Sequence, residues 1–277
     1  MSEGIGHIGG QGCGCADCLV KAADGKTHIH AGGSDEPMHY TALNCAMRSA
    51  MQGGAKEIVL EGVIGQRYIA ATAADKELRI TIMGTPGNNL GAFLDGPTIE
   101  VFGNAQDMTG NTMNSGRIIV HGNAWDVTGL SARGGKILIR GSSGYRVGIH
   151  MKEFGAARPV LLIGGTVKDY LGEYMAGGTI IVLGLATPEG VSPVGRNIGA
   201  GIHGGRIYVR GKVEKHQLGA GAVTAELDDT DKAELAELLE EYQQTFATQV
   251  PTDPSGFIKI MPASSRPFSG HYDKTNI

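Results

Sequence analysis

Aromatic side chains are scarce in this chain of 277 residues, in which they make up 5% and tryptophan occurs once. Apolar residues nevertheless account for 41% of the chain, which is enough to bury a sizeable core. That core must therefore be built from isoleucine, valine, leucine and alanine rather than from aromatic rings.

Long apolar runs and a basic excess are missing as well. No segment approaches the ~20 apolar residues of a membrane-spanning helix, and the first residues lack the basic and apolar regions of a signal peptide. The formal net charge is -4, whereas binding to nucleic acid needs a basic face. We therefore expect a cytoplasmic protein whose main partner is neither a membrane nor a nucleic acid.

Glycine is the abundant residue, with 45 occurrences, roughly twice the usual share. Short β-branched runs that end in glycine recur through the middle of the chain. These runs occupy residues 78–84, 98–103, 117–122, 136–141, 160–165, 179–184 and 206–211. Their closing glycines are separated by 19, 19, 19, 24, 19 and 27 residues, so a 19-residue unit repeats and two units carry insertions.

Further glycines keep the register inside the unit, which follows the pattern G-x6-G-x5-G-x5. The pieces between glycines have the length of strands, and glycine allows the sharp corners that must join them. Coils stacked ~4.8 Å apart can share backbone hydrogen bonds and one apolar core. The repeat therefore predicts an all-β fold, a parallel β-helix with coils of about 19 residues. An antiparallel barrel or sandwich is the alternative, although hairpin signals such as Asn-Gly are scarce in the repeats.

The repeat also predicts three parts of the chain: a cysteine-containing N-terminal extension (1–56), a β-helix domain (57–225), and a C-terminal helix with a tail (226–277). Asp231 and Glu234 fit a capping box at the start of this helix, which we expect to cap or flank the solenoid. Within the strands, some residues between the inward-facing ones are apolar too. Because Ile119, Leu138 and Ile181 fall at such outward positions, we expect a partner protein to cover part of the outer surface.

Two segments resemble a known family. Residues 169–184 (DYLGEYMAGGTIIVLG) and 195–205 (GRNIGAGIHGG) are similar to the C-terminal domain of the glutamate synthase large subunit, and the resemblance extends in order over about residues 58–262. One of the subunits of formylmethanofuran dehydrogenase shares this domain. The resemblance implies a right-handed β-helix, which in glutamate synthase is structural and carries no catalytic residue.

The resemblance further implies a non-catalytic, scaffolding subunit of a glutamate-synthase-like oxidoreductase complex. Separate polypeptides would supply the glutaminase and the synthase, and flavin and iron–sulfur clusters would lie on these partners. Two alternatives stay open. One is a C-type subunit of a formylmethanofuran dehydrogenase-like complex, and the other is an independent metal- or redox-sensing β-helix protein.

The four cysteines form the first candidate site, since Cys13, Cys15, Cys18 and Cys45 all lie outside the repeat. In a reducing cytoplasm such a group favours metal binding over disulfides, and four thiolates suffice for zinc or for an iron–sulfur cluster. The C-x-C-x2-C spacing matches neither the common zinc pattern nor the ferredoxin pattern. Free or redox-responsive thiols are the alternative.

Acidic residues form a second candidate. Asp107, Asp126 and Asp169 each follow a closing glycine by four residues, and equivalent positions stack in a solenoid. We expect them to accept backbone N–H groups at the corners, with Asn104 and Asn123 in the same role. A cation held by stacked carboxylates is the alternative.

A glycine-rich stretch and three histidines complete the candidates. Residues 195–205 are expected to be an inserted interface loop, with phosphate binding as the alternative. His121, His150 and His203 fall in the repeats, but no catalytic arrangement can be assembled around them. We expect these histidines to be packed or interfacial.

Overall fold

The computed structural model describes residues 19–21 and 24–264. Within these residues, twelve strands form one sheet accompanied by two α-helices. The strands are β1 (Leu19–Lys21), β2 (Thr27–His30), β3 (Glu57–Ile64), β4 (Arg79–Thr85), β5 (Asp95–Phe102), β6 (Ser115–Val120), β7 (Lys136–Ile139), β8 (Val160–Ile163), β9 (Ala176–Val182), β10 (Gly204–Arg210), β11 (Ala222–Ala225) and β12 (Phe257–Pro262). The helices are α1 (Tyr40–Gln52) and α2 (Asp229–Phe246). Across these described ranges, neither helix is long and apolar enough to span a membrane.

Strands β2 to β10 pair in chain order, and every one of these pairings is parallel. Paired residues in neighbouring strands occupy the same position of the sequence repeat, since Arg117 lies opposite Lys136 in the next coil. The predicted parallel β-helix is therefore confirmed as a parallel β-solenoid. At one edge β1 joins β2 antiparallel, and at the other β12 joins β10 antiparallel and carries β11. One sheet thus includes strands from all three parts of the chain that the sequence predicts, 1–56, 57–225 and 226–277.

The interior is aliphatic, as the scarcity of aromatic residues predicts. Its central ladder consists of Ile58, Ile80, Ile99, Ile118, Ile137, Leu161, Ile180 and Ile207, all of them at most 1% exposed. Helix α1 closes the N-terminal end of this core with Leu43 and Met47. It therefore covers the apolar end that a solenoid would otherwise expose.

Helix α2 lies on the outer face of the sheet and explains the outward apolar residues. Its buried apolar and aromatic side chains, which are Leu235, Leu238, Leu239, Tyr242 and Phe246, pack on Ile119, Leu138, Leu162, Ile181 and Tyr208 of strands β6 to β10. An 18-residue helix is about 27 Å long, which suffices to cross five strands ~4.8 Å apart. The expectation that a partner protein covers these residues is therefore wrong, because the chain covers them itself. The expectation of a flanking C-terminal helix is confirmed.

The outer face changes character where α2 ends. In strands β2 to β5, which α2 does not cover, the positions equivalent to Ile119 are occupied by His28, Val59, Thr81 and Glu100. Three of these four side chains are polar, as a solvated face requires. The outward residues thus differ between the strands that α2 covers and those that it leaves open.

The start of α2 differs from the sequence prediction. The N-cap is Asp228, whose carboxylate accepts the backbone N–H of Asp231, while the Asp231 carboxylate accepts the N–H of Asp228. The predicted box between Asp231 and Glu234 is therefore wrong by one turn. Glu234 is engaged with the sheet instead, because it accepts a hydrogen bond of 2.8 Å from the Thr179 hydroxyl and lies 3.1 Å from Arg206.

A second face, which we call the turn face, follows the strand in each coil. Its segments are residues 68–72, 89–93, 108–112, 127–131, 146–150, 170–174 and 197–201, and in each of them the first, third and fifth residues have positive φ. The third is usually glycine for a steric reason. At Gly110, with φ +71°, a Cβ would overlap Cδ1 of Ile137 in the core.

Candidate functional site

Of the four candidate metal ligands, only Cys45 lies within the described residues. It sits on α1, is half-buried and is disulfide-bonded. A sulfur in a disulfide is not a thiolate ligand. Cys13, Cys15 and Cys18 lie outside the described residues, so the four-cysteine metal site stays a prediction.

The stacked acidic residues form a hydrogen-bonded ladder along one corner of the solenoid. The Asp107 carboxylate accepts the backbone N–H of Asp126 at 3.1 Å, and Asp126 accepts that of Tyr145 at 2.9 Å. Farther along, Asp169 accepts the N–H of Arg196 at 2.8 Å. The predicted role in fixing the corners is therefore confirmed. Residues 24–264 contain no group of three or more His, Cys, Asp or Glu side chains that could hold a metal ion.

An amide ladder runs beside the acidic one. The side-chain oxygen of Asn104 accepts the backbone N–H of Asn123, and that of Asn123 accepts the N–H of Ser142, each at 2.8 Å. Ser142 continues the ladder, because its hydroxyl oxygen accepts the N–H of Thr166 at 3.0 Å. Each side chain thus ties one coil to the next.

The glycine-rich stretch 195–205 is a regular part of the last coil, not an inserted loop. Its residues Asn197, Gly199 and Gly201 have the positive φ values of the turn face. The insertion of the 27-residue unit comes earlier, between Gly184 and Pro193, since Val167 donates its N–H to the Pro193 carbonyl one coil on. The expectation of an inserted interface loop at 195–205 is therefore wrong in its placement.

Two of the three histidines pack against aromatic rings. His121 lies parallel to Phe102 at 4.5 Å and edge-on to Phe246 at 5.3 Å, and its Nε2 is 2.8 Å from a carboxylate oxygen of Glu100. His150 stacks on Tyr174 at 5.3 Å on the turn face. The prediction of packed histidines is confirmed for His121. The third, His203, donates its backbone N–H to the Met175 carbonyl.

Exposed aromatic and cationic side chains share the turn face and the corner beside it. Arg146 lies over the ring of Tyr170 at 4.7 Å and pairs with the buried carboxylate of Glu173. At the neighbouring corner, the ammonium of Lys168 lies 5.0 Å from the centre of the Tyr145 ring. Exposed aromatic residues and arginine are enriched where proteins bind one another. No sequence signal predicted this clustering, because it depends on which coils are neighbours.

A buried ionic network fixes the N-terminal end of α2. Asp231 is fully buried and accepts hydrogen bonds from the Tyr208 hydroxyl at 2.7 Å and from Lys259 Nζ at 2.6 Å. Burial acts to raise the pKa of Asp231, but the hydrogen bonds from Lys259 and Tyr208 outweigh it and the pKa is lowered. Burial also raises the pKa of Tyr208, which keeps its hydroxyl a donor. The network joins α2 to both β10 and β12.

Taken with the fold, these features define a parallel β-solenoid whose corner side chains bond from one coil to the next. The family model described as "GXGXG motif" matches residues 54–254. The chain therefore belongs to the GXGXG motif family.

Three relatives show where this domain occurs. The uncharacterized protein MJ1350 of Methanocaldococcus jannaschii is 51% identical over 245 residues, which cover 85% of this chain and 93% of that protein. Ferredoxin-dependent glutamate synthase 2 of Synechocystis is 32% identical over 157 residues, which cover 54% of this chain but 9% of the synthase. Glutamate synthase [NADH] of Schizosaccharomyces pombe is 28% identical over 226 residues, 73% of this chain and 10% of that enzyme. The solenoid thus corresponds to about a tenth of each glutamate synthase.

Proposed function

We propose that this chain is the scaffolding subunit of a multi-subunit, glutamate-synthase-like oxidoreductase in the cytoplasm. It docks a glutaminase-like polypeptide and a synthase polypeptide that bears flavin and iron–sulfur clusters. The observation that carries the proposal is the pattern of matches. The same solenoid makes up a tenth of two glutamate synthases and 93% of an archaeal relative, as expected if the domain also exists as a separate subunit.

The physical properties of the solenoid suit a spacer. Nine parallel strands at ~4.8 Å spacing give a rod roughly 40 Å long. The rod has a continuous aliphatic core, polar ladders at its corners and a helix bound along its outer face. Such a body can hold two partners at a fixed separation while its turn face and corners remain open to them.

The test is reconstitution with the glutaminase-like and synthase polypeptides of the same genome, each expressed separately. We expect this chain to bring them into one complex on gel filtration. Glutamine-dependent glutamate formation should then require this chain, whereas ammonia-dependent formation by the synthase alone should not.

Purification of the tagged chain from its native host gives the complementary result. We expect the same two polypeptides to be identified by mass spectrometry. Recovery with a molybdenum- or tungsten-pterin subunit would favour the formylmethanofuran dehydrogenase-like role instead. A chain that binds neither polypeptide in either experiment would overturn the proposal.

A further inference from the structure

The 24-residue unit carries an insertion that its neighbours lack. Between Met151 and Val160 the chain has five more residues than between the equivalent Ala132 and Lys136. The units of 19 residues show that a coil closes without such an addition. The extra residues are therefore not needed to close the solenoid.

The inserted loop holds an aromatic ring in solvent. Phe154 at its tip is 82% exposed, more than any other large apolar side chain in the described part of the molecule. The loop is nonetheless well fixed, because Phe154 and Ala157 exchange backbone hydrogen bonds of 3.0 and 3.1 Å. In addition, the Glu153 carboxylate accepts the Gly178 N–H of the next coil at 2.9 Å. Because the backbone of the loop is already fixed, less conformational entropy is lost when the ring binds.

A shallow cleft of 330 Å³ lies beside the loop. Its walls come from the corners of two neighbouring coils and from the loop itself. The lining residues are Asn114, Ser115, Gly116, Arg117, Gly134, Gly135, Lys136, Ala156, Ala157 and Arg158. A projecting ring next to a recess forms a surface to which a partner of complementary shape can bind.

The same corner, here called the basic corner, concentrates positive charge. Its cationic residues are Arg117, Arg133, Lys136, Lys152 and Arg158, and its carboxylates are Asp95, Glu153 and Glu241. Arg133 and Lys152 stand in adjacent coils, because Lys152 donates its N–H to the carbonyl before Arg133. Both are exposed, and neither has an ion pair within residues 24–264. On a chain of net charge -4, this surplus favours a negatively charged partner.

From these observations we infer that the basic corner is the docking site for an acidic protein surface with an apolar recess that receives Phe154. The inference rests on the proposed function, since the partner is one of the two polypeptides named there. Phe154 acts as the anchor, and carboxylates around the recess pair with Arg133, Lys152 and Arg158. A buried aromatic anchor inside a polar rim is the arrangement that dominates binding energy in protein interfaces.

The test compares two variants with matched controls in binding to the separately expressed glutaminase-like and synthase polypeptides. Phe154→Ala should weaken binding to one of them about 30-fold. The double charge reversal of Arg133 and Lys152 to Glu should weaken it about tenfold and reduce its dependence on salt.

The controls change the same kinds of side chain at distant places. Phe102→Ala removes a half-exposed ring from the end of strand β5, and reversal of Arg48 and Arg79 changes the same charge near the N-terminal end. Neither control should weaken binding, and circular dichroism should show all variants folded.

The outcomes separate the two proposals. If the wild type binds and both basic-corner variants bind as well as it does, the docking site is wrong while the proposed function stands. If the wild type binds neither polypeptide, both are wrong. Binding of duplex DNA or RNA that depends on Arg133 and Lys152 but not on Phe154 would assign the basic corner to nucleic acid and also overturn the inference.

Discussion

Replacing Asp231 with alanine should loosen α2 from the sheet far more than an ordinary surface substitution would. The change leaves the Lys259 ammonium, whose side chain is 13% exposed, without its nearest carboxylate, and the Tyr208 hydroxyl with only the longer hydrogen bond of 3.5 Å to Glu234. Breaking a buried pair in this way costs about 3–5 kcal/mol, and the lost capping interaction adds about 1 kcal/mol. Because Asp228 still lies 3.8 Å from Lys259, we expect a total near the lower limit, about 3 kcal/mol.

Amide hydrogen exchange of the α2 peptide measures this loss directly, since it reports local opening rather than unfolding of the whole rod. A loss of about 3 kcal/mol corresponds to exchange that is about a hundredfold faster. The double variant Asp231→Ala with Lys259→Met removes the uncompensated charge, so it should recover about half of the loss. Additivity of the two single effects within about 0.5 kcal/mol would refute the view that the pair is coupled.

The Asp231 network also makes the stability of α2 depend on pH in the acid range. The pKa of Asp231 is lowered from its ordinary value of 3.8, so its carboxylate binds fewer protons in the folded state than in the unfolded state. Its contribution to stability is therefore complete above the unfolded value and is lost as the pH falls through the lowered one. The protection of the α2 amides, relative to their intrinsic exchange rate at each pH, should fall only below about pH 4, and Asp231→Asn should remove that dependence.

Three further predictions concern single positions. Gly110→Val should lower the stability of the solenoid by about 1–3 kcal/mol, because the valine side chain would overlap Ile137 and the backbone at this position has a positive φ. Thermal denaturation measures the loss, and an unchanged melting temperature would contradict the described packing. Asn123→Ala should cost about 1 kcal/mol, since the Ser142 N–H loses its acceptor; Asn123→Asp, which keeps the acceptor, is the control. The proposed zinc or iron–sulfur site predicts stoichiometric metal in protein purified without oxygen, lost in Cys45→Ser. Metal-free protein with a disulfide at Cys45 would refute the predicted metal site.

The strands and their order could be predicted because the interior of a solenoid imposes the same demand on every coil. A period of 19 residues with alternating apolar positions fixes the register of Ile118 over Ile99 and under Ile137, as the structure has it. The corner ladder was predictable for the same reason. Asp107 and Asp126 recur at one position, and a recurring side chain in a stack meets the backbone of its neighbour.

The turn face was not predictable, because its backbone goes against local preference. Val127 and Thr112 are β-branched and have φ values of +61° and +52°, which their side chains disfavour. Hydrogen bonds to the following coil hold them there, since the Val127 N–H donates to the Tyr145 carbonyl and the Thr112 N–H to the Leu130 carbonyl. These bonds exist only in the stack, so no local sequence pattern could indicate them. The start of α2 was misplaced for a similar reason, because Glu234 is bound by the sheet.

In a solenoid, the departures from the repeat carry the information about what packs against it. The coils themselves need only inward aliphatic residues and polar corners. Outward apolar residues at Ile119, Leu138 and Ile181 are such a departure, and α2 accounts for them within the chain. The five-residue insertion with Phe154 at its tip is another, and no described segment of the chain covers that ring. By the same logic that assigns the first departure to a helix, the second indicates a contact with another molecule.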